Sequence, residues 1–178
     1  AMLVSKTDGN RFYENPSLTS TKGVRKVGRL WLNLKDIRVE PVDNVVRFGG
    51  TDSKLVEELK FSFRSSIRYN EFLPIVKKLA VNKPGLDGDV KFYELVDGYN
   101  RITALQDLGY THYWFDVADF GHDGVDSVLA QTSLAITMNA PVPKVSSSDK
   151  DLFNAVTNLV DKGLIENDFI KIKNLIIR

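Results

Sequence analysis

Residues 92–108 read FYELVDGYNRITALQDL, and this stretch decides the fold. Phe92 to Val96 is apolar and aromatic enough for a strand, Asp97-Gly98 breaks it, and Ile102, Leu105 and Leu108 then recur at the spacing of one helical face. Gly109 is a natural stop for that helix. A strand that turns directly into a helix aims the helix's first backbone N–H groups, which lack partners within the helix, at one spot, and such a spot attracts anions. Gly98 permits a positive φ or a close backbone approach, and Tyr99 lies inside the turn where it can face a ligand. Asn100 can cap or donate an amide, Arg101 can fork two hydrogen bonds onto a phosphate, and Thr103 completes the candidate phosphate-binding set. Asp97 is placed to orient a water or a hydroxyl. A plainer reading stays open: Asp-Gly is a common turn, Asn100 a simple cap, and Arg101 a partner for a surface carboxylate.

Outward from this unit, residues 29–39 alternate apolar Leu30, Leu32 and Leu34 with polar neighbours and continue through Ile37 and Val39, which predicts a strand with a turn inside it. Thr51-Asp52-Ser53 offers a cap for a helix predicted over 53–67, whose Leu55, Val56, Leu59 and Phe63 share a face. Residues 72–76 read as a short strand and 82–89 as turns, with 90–96 returning as the paired strand. A further strand is predicted over 112–117 and a helix over 125–137, stopped by Pro141 and Pro143. Another helix follows over 148–162, with a short amphipathic element over 168–177. The alternation describes an α/β domain: a small mixed sheet with packed helices.

Composition agrees with one packed domain. The 178 residues are 43% apolar and 26% charged, near the globular average, and no apolar run approaches the length of a membrane span. A cytoplasmic protein with no membrane partner is expected. With no cysteine, disulfides, thiolate metal sites and cysteine nucleophiles are excluded. The formal charge is only +1, so bulk charge does not mark a nucleic-acid binder, but residues 1–29 carry six basic side chains against two acidic ones. Residues 1–28 are accordingly expected to form a flexible basic arm, with Arg25, Lys26 and Arg29 reaching polyphosphate, or else a solvated tail. Positions 102–127 hold no Lys or Arg, and Asp116, Asp119, His122 and Asp123 offer oxygen and imidazole ligands for Mg²⁺ or Mn²⁺, against the alternative of a solvated acidic loop.

The order Ser66-Ile67, Leu73-Pro74-Ile75-Val76, Tyr93 to Gly98, Arg101, Ala104 and Leu108-Gly109 resembles the amino-terminal domain of the ParB/sulfiredoxin superfamily, phage and plasmid type. The likeness spans roughly 30–118, so residues 29–120 are expected to be the core and 121–178 a helical C-terminal extension packed on it. It places Arg47 at an arginine that ParB-like proteins often carry after the first strand, and Gly98 with Arg101 on the family's Gly-x-x-Arg nucleotide-binding box. Asn139 falls near an asparagine that helps to hold a nucleotide-bound metal ion. Glu40 stands where the superfamily's kinases suggest a base. The resemblance implies a nucleotide (ATP or CTP), DNA or both as partners, a homodimer as assembly, and metal-dependent phosphoryl hydrolysis or transfer, as nuclease, nucleotide hydrolase or kinase. The alternative is a non-catalytic DNA-binding or protein-interaction module. Sulfiredoxin's working cysteine is missing, which excludes peroxiredoxin repair. The chain also has Gly98-Tyr99-Asn100-Arg101 where partition proteins usually read Gly-Glu-Arg-Arg, and Met138-Asn139 where they read Glu-Asn, which argues against a CTP clamp. Autonomous centromere recognition is not expected from a chain of this length.

Overall fold

The computed structural model describes residues 4–39, 52–85, 87–121 and 125–139. In chain order these form α1 (Ser17–Ser20), β1 (Arg25–Asn33), β2 (Ile37–Arg38), α2 (Ser53–Ser65), β3 (Ile75–Pro84), β4 (Val90–Asp97), α3 (Tyr99–Asp107), β5 (His112–Asp119) and α4 (Val125–Asn139). The five strands make one mixed sheet in the order β1-β5-β3-β4-β2. β1 runs antiparallel to β5 and β3 to β4, whereas β3 with β5 and β2 with β4 are parallel. The expected fold class, a small mixed sheet with packed helices, is what the chain adopts.

Each face of the sheet carries its own core because neighbouring residues of a strand point to opposite sides. Val76, Leu95, Phe115 and Val117 pack with Val56, Leu59 and Phe63 of α2 and with Ile102 and Leu105 of α3. Ile75 and Ala118 instead join Leu18 of α1 and Ala130 and Leu134 of α4. β5 is thus covered on both sides, which explains why its sequence is nearly continuous in apolar residues rather than alternating.

Two boundaries differ from expectation. The strand read over 72–76 begins only at Ile75 and continues to Pro84, because a register shift between Lys78 and Lys83 lets the chain stay paired through residues whose composition suggests a turn. The second difference is larger. Residues 4–24 are not a flexible arm: Val4 and Phe12 belong to the same core cluster as α2 and α3, and Leu18 is fully buried against the other face. The expected division at residue 28 therefore falls inside a continuous packed unit, and β1 itself begins at Arg25. The helix expected over 148–162 and the short amphipathic element over 168–177, and with them most of the C-terminal extension, lie outside the described residues.

Candidate functional site

The strand–turn–helix forms as the sequence implies. β4 ends at Asp97, Gly98 takes φ 107 and ψ 29, and α3 starts at Tyr99 with no side chain capping it. Gly98 is required twice over. Its φ lies in the left-handed region that L side chains rarely adopt, and a Cβ there would sit 2.7 Å from the Cβ of Pro74. Pro74, in the segment leading into β3, is therefore in direct contact with the turn. Asn100 in the first turn of α3 accepts a hydrogen bond on Oδ1 from the Asp52 N–H at 2.9 Å, while Asp52 in turn caps α2 through Lys54 N and Leu55 N. The N-termini of α2 and α3 are thus fastened side by side.

Arg101 is held as well as placed. Its Nη1 donates to the carbonyl of Phe72, and its Nη2 lies 3.8 Å from Asp97 Oδ2. The side chain of Arg101 keeps 16% of its surface and that of Asp97 32%. A guanidinium has five N–H donors in a fixed fork, so a single carbonyl orients the group without exhausting it. Thr103 turns its hydroxyl back onto the Tyr99 carbonyl at 2.9 Å, a bond within the helix.

Tyr99 corrects the sequence reading. Its ring is buried in the α2/α3 core and its hydroxyl donates to Leu95 O at 3.0 Å, so it packs the turn from beneath instead of facing a ligand. The reason is geometric: the first helical residue after a left-handed Gly98 points back toward the strand it has left.

The basic and acidic sets also resolve differently from expectation. Arg25 pairs with Asp119 at 2.7 Å, Lys26 with Glu14, and Arg29 with Asp116 at 3.1 Å. Arg29 keeps only 12% of its side-chain surface, and its guanidinium also donates to the carbonyls of Gly9, Phe12 and Tyr13. Lys26 and Arg29 bind the chain to itself, whereas Arg25 keeps 70% of its side-chain surface beside Asp119. Asp116 is fully buried, and burial pushes its carboxyl up despite the Arg29 guanidinium beside it. Asp116 and Asp119 stand three residues apart on a strand, hence on opposite faces, and each is engaged by a different arginine. Among the described residues no three His, Cys, Asp or Glu side chains converge on one point, and the other two proposed ligands, His122 and Asp123, lie outside them. Asn139 closes α4, with its side chain outside the description. Glu40, Arg47 and His122 also lie outside the described residues.

Sequence reading missed the residues that brace the site. Phe72 reads only as the start of a strand and Pro74 only as part of the family-like Leu73-Pro74-Ile75-Val76 run, yet one supplies the carbonyl that holds Arg101 and the other the surface against Gly98. Only the proline just before a strand hints at a fixed approach.

A mixed five-stranded sheet flanked by helices, with a glycine-opened helix at the end of an inner strand, defines a ParB amino-terminal-like fold. Among solved structures it is similar to a Pnob8-like ParB-N domain at 15% identity and TM-score 0.52, over 78% of this chain and 46% of that one. The chain thus spans about half the length of that neighbour. It is also similar, at 16% identity and TM-score 0.48, to the C-terminally truncated chromosome-partitioning protein ParB from Caulobacter crescentus complexed to the centromeric parS site, over 83% of this chain and 64% of that one. The same Caulobacter protein complexed with CTP-gamma-S matches at 17% identity and TM-score 0.43, over 84% of this chain and 71% of that one. No family model and no curated protein matches the sequence. Among the described residues no helix is long and apolar enough to cross a membrane.

Proposed function

We propose that this chain is a ParB-like domain that binds the phosphate groups of a nucleotide or of DNA at the turn between β4 and α3. One observation carries the reading: a left-handed Gly98, packed on Pro74, opens α3 without a side-chain cap and sets the Arg101 guanidinium beside that opening. The first amides of a helix carry partial positive charge, and an arginine adds a full one. Gly98, Asn100 and Arg101 are the contacting residues. Tyr99 and Thr103 shape the turn from within, and Arg47 is a further contact on the sequence resemblance.

Asp97 supports a catalytic version of this reading, in which a divalent Mg²⁺ or Mn²⁺ ion neutralises phosphate charge and Asp97 orients the attacking water, with Glu40 as an alternative base. Asp97 is one-third exposed at the same turn, which leaves it accessible to substrate. The DNA-binding version loses the support of a free arm, since Arg25, Lys26 and Arg29 are paired within the fold. A cytoplasmic, homodimeric protein is the setting we propose, on a sequence without a span-length apolar run and on the resemblance.

The test is a thermal-shift screen of CTP, ATP and a short duplex oligonucleotide, each with and without Mg²⁺, on wild type and Arg101→Ala. Ligands that bind the folded state raise its melting temperature by mass action. At least one probe should stabilise wild type and not the variant. Equal responses of the two proteins would reject the site. Phosphate release with Mg²⁺ that Asp97→Asn abolishes would assign hydrolysis, and binding without product would leave a non-catalytic module.

A further inference from the structure

We infer that the buried Arg29–Asp116 pair is the positioning device of the Gly98–Arg101 turn, acting through the segment from Phe72 to Pro74; this inference rests on the phosphate-site reading above. Three contacts link the two places. The Arg29 guanidinium gathers the carbonyls of Gly9 at 2.6 Å, Phe12 at 3.2 Å and Tyr13 at 3.2 Å, with Glu14 Oε1 at 3.7 Å, and so fixes the N-terminal segment on the sheet. Tyr13 forms a parallel β-bridge with Phe72, the residue whose carbonyl holds Arg101. Asp116, which holds Arg29 through its side chain, holds Pro74 through its backbone, with N–H to Pro74 O at 3.0 Å, and Pro74 is the residue packed against Gly98.

Both braces of the turn are therefore anchored at one buried ion pair on the opposite side of β3. A guanidinium that makes four hydrogen bonds while nine-tenths buried is a rigid fixture, because breaking any one of them leaves a charged donor unsatisfied. Rigidity at this place has a use. An arginine already oriented by Phe72 gives up less freedom when it grips a phosphate than one that must first be ordered. Arg29 and Asp116 touch no ligand in this scheme. They set the position of the residues that do.

The experiment compares nucleotide affinity in wild type, Arg29→Lys, Asp116→Asn, Arg101→Ala and the Arg29→Lys/Arg101→Ala double variant, using the probe that binds wild type most tightly among CTP, ATP and a short duplex. Arg29→Lys keeps the charge and loses the fork. Asp116→Asn removes the carboxylate that pairs with Arg29 and leaves the backbone bond to Pro74 in place, which supplies a second clasp variant if the lysine variant is too unstable to use. Each single clasp variant should bind roughly tenfold more weakly, with faster amide exchange at 9–14 and 72–75 together. The clasp substitution should cost no further affinity once Arg101 is alanine, an outcome that general loss of stability would not produce. If wild type binds and the folded clasp variants bind as tightly, or if the two losses simply add, the positioning role is wrong while the site stands. If wild type binds none of the probes, the site reading falls and the positioning role falls with it.

Discussion

At Gly98 the backbone has no alternative residue. An alanine would be strained at φ 107 and would drive its methyl into Pro74 at 2.7 Å. Gly98→Ala should therefore destabilise the fold by about 1–3 kcal/mol, measured by urea denaturation. An unchanged midpoint would show that the turn can relax and that its geometry is not fixed. Tyr113 supports a second residue-scale test. Burial pushes its phenol up to about 12 from the ordinary 10, against the pull of Arg101 nearby. The neutral phenol is the form that the fold favours, so this contribution is complete below pH 10 and is lost as pH rises through 12. It amounts to about 3 kcal/mol. Tyr113→Phe should flatten the fall in melting temperature between those two pH values, and parallel curves for the two proteins would contradict the assignment. Gly98 was legible in the sequence because Asp-Gly between a strand and a helical repeat has few other uses. Tyr99 was not, because an aromatic side chain in a turn satisfies a ligand face and a core face equally well until the helix phase is known.

The helices and strands were mostly legible as elements. In sequence α2 reads as Leu55, Val56, Leu59 and Phe63 behind a cap within Thr51-Asp52-Ser53; the structure buries Val56, Leu59 and Phe63, leaves Leu55 partly buried, and uses Asp52 as the cap. β3 was misplaced at both ends because pairing with β4 continues through Pro84, past residues whose intrinsic preference is for turns. The junction between α2 and α3 could not be read at all: Asn100 bonds the backbone of a residue 48 positions away. A cap on its own helix and a bond to another look alike in sequence. Asn100→Ala should leave the Asp52 N–H without this acceptor and cost about 1 kcal/mol, again by denaturation. No loss would mean that water replaces the amide and that the two helix starts are held by packing alone.

Over the whole molecule, charge misled where hydrophobicity would have helped. Residues 4–24 look like a polar, cationic tail, yet Val4, Phe12 and Leu18 are spaced widely enough to escape any periodic pattern and still anchor the segment to both faces of the sheet. The cations read as an outward-facing arm are spent on Asp116, Glu14 and Asp119. Deleting residues 1–24 should accordingly expose apolar surface and strip Arg29 of its carbonyl partners, lowering the melting temperature by about 10 °C or more. A truncated chain that melts like the full one, and differs only in a shallower salt dependence of DNA binding, would return the segment to the role of an arm.

The central claim is that backbone amides at the start of α3 hold a charged oxygen cluster, and amide chemical shifts report on those groups directly. In a ¹⁵N-resolved titration with CTP, ATP or duplex DNA, the signals of Gly98, Asn100 and Arg101 should move, saturably, at a lower concentration of ligand than any others. Saturable binding that leaves these three amides in place while shifting residues elsewhere would contradict the account.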